Sequence, residues 1–243
     1  MVAKRELKFI KSLHQKKQRS LSGFFLAEGV KVVETLMDAG WKPTHLYSTS
    51  RMGQFPSAQP ISEKELKSVS TLKQPNQVLG VFEIPAERPP EYQGWILALD
   101  RLRDPGNLGT IIRLCDWFGI REILCSPDSV DCFNPKVVMA SMGSLARVQV
   151  HYLPLGLAFA ESGLPVFGAD MDGVSASTFS FPKEGILLMG SESHGINPDL
   201  KDNLKEALNI RPFANPGAES LNVGVATGIL MYELRKQQPF TQR

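Results

Sequence analysis

The sequence predicts an α/β protein of two domains, a small N-terminal α/β domain and a larger C-terminal domain with a parallel sheet and helices on both faces. After residue 94, strands and helices alternate regularly, which is typical of parallel strands connected by helices. Before residue 85 the elements are fewer. The segment between them contains Pro85, Pro89 and Pro90, and consecutive prolines cannot join a helix or a sheet interior. We therefore predict domains at residues 1–84 and 95–243, joined by a linker at 85–94.

The first domain is predicted from periodicity and capping signals. Leu7, Ile10 and Leu13 recur at helical spacing, which indicates a short amphipathic helix. Ser62 and Glu65 form a capping box, the signal for a helix that continues to about residue 72. The other predicted elements are a strand at 24–27, a helix at 30–39 and a strand at 78–84.

The second domain is predicted from apolar runs separated by helical patterns. The predicted strands lie at residues 96–100, 122–125, 147–152, 165–169 and 185–190. The predicted helices lie at residues 108–118, 135–142, 155–161 and about 220–235.

Composition excludes several classes of protein. The chain has 243 residues, of which 42% are hydrophobic and 21% charged, as in an ordinary globular protein. It lacks an apolar run of membrane-spanning length and an N-terminal stretch of signal-peptide type, so we expect a cytoplasmic protein with no membrane partner. Three cysteines without CxxC spacing and four scattered histidines support neither a disulfide framework nor a metal site.

Positive charge is concentrated at the N-terminus. Residues 1–20 hold seven basic residues and one acidic residue, a net charge of +6, whereas the rest of the chain has 20 basic and 24 acidic residues, a net charge of −4. Such a segment is either a solvated helix face or an arm that contacts phosphates. Read as an RNA-binding arm, it makes Lys16, Lys17 and Arg19 the candidate RNA-binding residues.

Three short segments place small or amide residues beside an apolar strand or helix, where backbone can approach a ligand closely. They are residues 104–113 (DPGNLGTIIR), 190–195 (GSESHG) and 219–226 (ESLNVGVA). The second segment has the glycine spacing of a P-loop, but Ile196 and Asn197 stand where that motif needs Lys and Ser or Thr. With no dinucleotide fingerprint after the first strand of the second domain, the sequence favours neither a nucleoside triphosphate nor a dinucleotide.

The polar residues of these segments each have an alternative, purely structural explanation. Asn107 could cap a helix that starts at the next residue, and Ser220 could cap the last helix. Arg113, between apolar neighbours, could extend its guanidinium to solvent or bind a phosphate or ribose oxygen. Glu192 could be an exposed turn carboxylate.

Taken in this order, the three segments resemble the motifs of the SpoU family, also called TrmH, RNA ribose 2'-O-methyltransferases of the SPOUT superfamily. The resemblance begins at about Trp95. It implies a deep trefoil knot formed by the chain from about Gly185 onward, S-adenosylmethionine as methyl donor, no metal, and a homodimer. It implies catalytic roles for Asn107, Arg113, Glu192, Ser220 and Asn222, and cofactor binding by Met189, Gly190, Gly195, Ile210 and Leu221.

Residues 23–30 (GFFLAEGV) resemble the substrate-binding domain of family members that modify ribosomal RNA. This favours large-subunit ribosomal RNA as substrate, with transfer RNA methylation or a non-catalytic RNA-binding assembly factor as alternatives. The chain departs from the family in reading Ile210-Arg211-Pro212-Phe213 where Ile-Pro-Met is common, and in having Gly224 where serine is common. The first departure makes Ile210 the weakest of the implied site residues.

Overall fold

A computed structural model describes residues 2–50, 53–191, 193–214, 217 and 219–238. The chain forms two compact units: Met1–Arg88 together with Asp131–Arg147, and Pro89–Val130 together with Val148–Arg243. In chain order the elements are α1 (Lys4–Ser12), α2 (Lys16–Ser22), β1 (Phe24–Glu28), α3 (Val30–Asp38), β2 (Pro43–Ser48), β3 (Gln59–Pro60), α4 (Glu63–Val69), β4 (Val78–Glu83), β5 (Trp95–Leu99), α5 (Pro105–Phe118), β6 (Glu122–Cys125), α6 (Pro135–Ala140), a 3-10 turn (Ser144–Ala146), β7 (Gln149–Tyr152), α7 (Leu155–Ser162), β8 (Val166–Ser175), β9 (Gly185–Met189), α8 (Pro198–Lys201), β10 (Leu204–Asn209) and α9 (Val223–Lys236).

The first unit is built on a four-stranded sheet in the order β1-β4-β2-β3. Strand β4 runs antiparallel to β1 and β2, and the short β3 runs parallel to β2. The capping box is confirmed: the Ser62 hydroxyl accepts the Glu65 N–H, and the Glu65 carboxylate accepts the Ser62 N–H. Helix α2 and strand β2 were not predicted.

The second unit is built on a six-stranded sheet in the order β10-β8-β9-β5-β6-β7, with every pair of neighbours parallel. This confirms the predicted parallel α/β class; the knot stays a prediction. Strand β9 pairs with β5, so the carboxyl ends of two strands far apart in the sequence lie side by side at Leu99 and Met189. In the described part of the chain, no helix is long and apolar enough to cross a membrane.

Residues 131–147 belong to the first unit, although they lie in the second half of the chain. The ring of Phe133 lies 5.0 Å from that of Phe25 on β1, and α6 packs against β1 with Val137 and Val138 buried. A Cβ added to Gly143 would lie 2.5 Å from Cβ of Thr35. The first unit therefore takes part of its core from a segment that lies beyond the proline-rich linker.

Candidate functional site

The candidate site lies at the carboxyl edge of the six-stranded sheet, where open α/β sheets bind ligands. The Asp100 N–H continues the ladder and donates to the Met189 carbonyl at 2.9 Å. The loop after β5 leads into α5, and the loop after β9 holds Gly190 and Gly195. The structure thus places the first two sequence motifs beside each other.

The third motif joins the first through a pair of amides. The Asn222 side chain donates from Nδ2 to Oδ1 of Asn107 at 3.0 Å. Its own Oδ1 accepts the N–H groups of Gly224 at 3.0 Å and Val225 at 3.3 Å, so Asn222 is the N-cap of α9. One side chain therefore both begins a helix and fixes the position of Asn107.

Two capping alternatives from the sequence are wrong. Helix α5 begins at Pro105, and Asp104 is its N-cap because its carboxylate accepts the Asn107 N–H at 2.8 Å. Asn107 therefore lies inside the first turn, with its side chain available to Asn222. Ser220 is exposed and lies two residues before the N-cap of α9.

Helices α5 and α9 pack side by side in the same direction. Their first turns meet at the two asparagines, a Cβ on Gly228 would lie 3.5 Å from Leu114, and Arg235 donates to the Phe118 carbonyl at 2.7 Å. Each helix has 14 residues, and its N-terminus carries partial positive charge. Two such ends side by side favour an anionic or partly anionic oxygen near Asn107 and Asn222.

Arg113 lies on the solvent side of α5. It is exposed and makes no hydrogen bond or ion pair with any residue that the structure describes. It shares a helix face with Trp117, four residues further on, whose surface is 84% exposed. The guanidinium is consequently available to a ligand or to another protein chain.

Gly190 and Gly195 shape a tight loop. The Ser191 N–H donates to the Gly195 carbonyl at 3.0 Å, and the Gly195 N–H donates back to the Ser191 carbonyl at 2.9 Å. A Cβ on Gly190 would lie 2.1 Å from the carbonyl carbon of Gly195, and Gly195 has a φ of +63°. The chain itself fills the space beside Gly190, so glycine is needed there for the loop to close.

The other sequence-predicted site residues are distributed around this loop. Met189 is buried at the end of β9, and Leu221 is 49% exposed just before α9. Ile210 follows β10, which is separated from β9 by β8. Glu192 lies outside the described residues.

Sequence reasoning missed Asp100 and Arg101 as organisers of this loop. Asp100 is 2% exposed, and its carboxylate accepts the Asn197 N–H at 2.7 Å and the Arg101 Nε–H at 3.3 Å. Arg101 Nη2 donates to the Gly195 carbonyl at 3.4 Å. A carboxylate directly after the fully apolar strand β5 was the signal that could have identified Asp100.

The residues present fit S-adenosylmethionine. Backbone carbonyls of the 190–195 loop are oxygen dipoles that suit a cationic sulfonium, and Ile210 and Leu221 offer apolar surface. Beside Ile210, the Asn209 Oδ1 atom is buried without a hydrogen-bond partner among the described residues, which leaves an acceptor for a ligand N–H. In the described part of the chain, no group of three His, Cys, Asp or Glu side chains could hold a metal ion.

The candidate RNA-binding residues divide into two kinds. Lys16 and Lys17 are exposed on α2. Arg19 is 2% exposed: it forms an ion pair with Asp131 at 2.5 Å and donates to the carbonyls of Leu13 and His14 at 2.8 and 3.0 Å. A guanidinium committed to these partners cannot also reach a phosphate, so the structure contradicts Arg19 as an RNA contact.

Comparison with known proteins agrees with this arrangement. Residues 94–232 match the model of the SpoU rRNA Methylase family, and residues 4–80 match that of the MRM3-like substrate binding domain. An uncharacterized tRNA/rRNA methyltransferase of Synechocystis is 30% identical over 96% of this chain and 91% of its own length. The 23S rRNA (guanosine(2553)-2'-O)-methyltransferase RlmP of Bacillus subtilis is 29% identical over 93% of this chain and 94% of its own.

Among solved structures, the AdoMet-bound rRNA methyltransferase from Sinorhizobium meliloti superimposes with a TM-score of 0.85 at 29% identity, covering 99% of this chain and 97% of that one. The family match spans more than half of the residues and includes all three motifs. The chain belongs to the SpoU rRNA Methylase family.

Proposed function

We propose that this protein transfers the methyl group of S-adenosylmethionine to a ribose 2'-hydroxyl of large-subunit ribosomal RNA. The observation that carries the proposal is the Asn107–Asn222 amide pair at the adjoining N-termini of α5 and α9, beside the Gly190–Gly195 loop. Relatives that share both domains bear the names of 23S rRNA 2'-O-methyltransferases. A 2'-hydroxyl occurs in RNA and not in DNA, so the substrate is RNA.

The chemistry requires a hydroxyl to become an alkoxide as it attacks a methyl carbon. The cofactor supplies that methyl group on a cationic sulfonium, for which we propose Met189, Gly190, Gly195, Ile210 and Leu221 as binding residues. The two helix N-termini and the guanidinium of Arg113 stabilise negative charge on the attacking oxygen. Arginine keeps its proton in proteins, so Arg113 acts by electrostatic stabilisation and not as a general base.

The amides give the substrate its orientation. Asn222 is held by two backbone N–H groups, and it holds Asn107 in turn, so both side chains are positioned before RNA arrives. Preorganised polar groups avoid the cost of reorganisation during the reaction. We assign Ser220, which is exposed beside them, and Glu192 to the same catalytic group.

RNA affinity is assigned to the N-terminal domain, residues 1–84. Helices α1 and α2 carry six exposed basic side chains: Lys4, Arg5, Lys8, Lys11, Lys16 and Lys17. Their summed charge suits the phosphate backbone and predicts salt-dependent binding. The match of residues 4–80 to a substrate-binding domain supports this assignment and the preference for ribosomal over transfer RNA.

We further propose that the protein is a cytoplasmic homodimer with a trefoil knot in its second domain. The outer surface of α5 and α9 exposes Trp117, Val225 and Tyr232, which are 84%, 53% and 57% accessible. Exposed aromatic groups of this kind are typical of interfaces. Arg113 shares the α5 face with Trp117, so association through this surface brings Arg113 to the dimer boundary.

The test is methyl transfer from radiolabelled S-adenosylmethionine to purified large-subunit RNA, small-subunit RNA and transfer RNA. We expect label in large-subunit RNA, as a 2'-O-methylated nucleoside identified by mass spectrometry. Label only in transfer RNA overturns the proposed substrate. RNA binding with no transfer to any of the three favours the assembly-factor alternative. Sedimentation of wild type and Trp117→Lys tests the dimer, which we expect the substitution to weaken.

A further inference from the structure

A cleft of about 190 Å³ lies at the carboxyl edge of the six-stranded sheet, between the loop after β5 and the loop after β9. We propose that this cleft binds a phosphodiester group of the RNA substrate. The inference rests on the proposed function and adds a contact in the second domain to the basic helices of the first. Its lining residues are Arg101, Leu102, Arg103, Ser191, Ser193 and His194.

Arg103 supplies the cation that is open to solvent. Its side chain is 80% exposed, and its nearest carboxylate is that of Asp128, 4.0 Å away and half exposed. An exposed pair at this distance is weak and screened by salt, so a phosphate can compete with it. The rigid, planar guanidinium matches two phosphate oxygens at once.

Arg101 supplies donors that are held in place. Its φ is +55°, an uncommon conformation for a residue other than glycine, and its N–H donates to the Ser126 hydroxyl at 2.7 Å. Nε is bonded to Asp100 and Nη2 to the Gly195 carbonyl, while Nη1 has no hydrogen-bond partner among the described residues. A strained backbone maintained by surrounding bonds is a feature of ligand sites.

The opposite wall of the cleft adds neutral donors. His194 Nδ1 lies 2.7 Å from the Ser193 hydroxyl, which leaves Nε2 to meet a ligand oxygen. The Ser191 hydroxyl oxygen accepts the His194 N–H at 3.2 Å, so its own O–H remains to be donated. None of the six lining residues carries a carboxylate. A cleft rich in donors and without acidic side chains in its lining suits an anion.

Two anions of the proposed reaction could occupy it, the phosphodiester of RNA and the carboxylate of S-adenosylmethionine. The exposure of Arg103 favours the phosphodiester, because a polymer can cross an open cleft whereas a small cofactor is generally buried. Phosphate contacts position a nucleic acid without reading its sequence. The cleft would therefore set the register of the RNA chain at the edge of the sheet that carries Asn107 and Asn222.

The experiment compares Arg103→Ala with Arg121→Ala as a matched control. Arg121 is exposed and precedes β6, so it lies at the amino end of the same sheet. The probe is a fluorescent single-stranded oligouridylate, whose affinity is measured by anisotropy over a range of salt concentrations. S-adenosylmethionine affinity is measured separately by calorimetry.

For Arg103→Ala we expect oligouridylate affinity about fivefold lower at low salt and the slope of log affinity against log salt reduced by about 0.7, the value for one lost phosphate contact on a single strand. Arg103→Lys should keep the slope, and Arg121→Ala should match wild type. Unchanged slope and affinity in Arg103→Ala overturns the proposal, and weaker S-adenosylmethionine binding assigns the cleft to the cofactor carboxylate. Because oligouridylate binding needs no turnover, failure of wild type to methylate any RNA would refute the proposed function and leave this comparison decisive.

Discussion

The Arg19–Asp131 ion pair should support the stability of the first unit and make no contact with RNA. In Asp131→Asn, the amide keeps the volume of the side chain but removes the charge opposite a guanidinium that is 2% exposed. Breaking a buried ion pair costs about 3–5 kcal/mol. Asp131 is 16% exposed and Arg19 retains two backbone carbonyl acceptors, so we place the loss at about 3 kcal/mol, the lower end of that range.

For a chain of this size, that loss corresponds to a melting temperature lower by about 6–12 °C. Thermal unfolding followed by circular dichroism measures it, with RNA affinity determined below the transition. The matched control is Lys17→Ala, an exposed cation on the same helix as Arg19. The control should melt within about 1 °C of wild type and bind RNA less tightly, because a solvent-exposed side chain contributes little to stability.

The opposite pattern would refute the reasoning. If Asp131→Asn melted like wild type and lost RNA affinity, Arg19 would be a ligand contact oriented by Asp131 and not a structural ion pair. If both variants changed only RNA binding, the N-terminal charges would act as one surface, as the sequence alone suggested.

Four further outcomes are expected. Arg113→Ala should fold and bind S-adenosylmethionine normally while methyl transfer falls at least ~10²-fold, because transition-state stabilisation of about 3 kcal/mol is lost; near-normal turnover at saturating RNA would contradict this. Asn222→Asp keeps the helix cap but loses the Nδ2 donor to Asn107, so transfer should fall while the melting temperature holds, and an equal loss of both would show a purely structural role. Gly190→Ala places a Cβ against the Gly195 backbone, so calorimetry should show at least ~10-fold weaker cofactor binding, whereas unchanged affinity would separate this loop from the cofactor. The Lys201 ammonium lowers the pKa of Asp170 through their hydrogen bond, so Lys201→Ala should reduce the melting temperature slightly at neutral pH, and the difference should disappear as the pH falls below the usual carboxyl value of 3.8; a difference that persisted in acid would contradict the linkage.

Much of the fold could be predicted because its central strands are short, fully apolar runs. Strands β5 and β9 are buried along their whole length, and no helix of the same residues could bury them in that way. Strand β10, with the sequence LKEALN, was missed because it lies at the sheet edge, where polar side chains interrupt the pattern. Its pairing with β8 also shifts register twice, which no periodicity reveals.

The candidate site was predictable as a set of motifs and not as a geometry. Resemblance brought together Asn107 and Asn222, but their direct hydrogen bond depends on where two helices begin, and helix ends are the least predictable boundaries. Likewise, Arg19 could not be distinguished from Lys16 and Lys17 by charge. Its partner Asp131 lies 112 residues away, so only the folded chain separates the buried cation from the exposed ones.

The position of residues 131–147 has the same origin and a wider consequence. A proline-rich linker marks where the chain is locally unable to form helix or sheet, and it carries no information about which later residues return to the first unit. Phe133 and α6 return to pack against β1. The first unit is therefore folded only when residues from both sides of the linker are present, and a cut there leaves Val137 and Val138 without the surface that buries them. Since 131–147 lies between β6 and β7, the substrate-binding unit is joined to the methyltransferase sheet at three points of the chain and not one. Functional division along the sequence and division into folding units need not coincide in this protein, because the apolar surface that each segment buries decides the second.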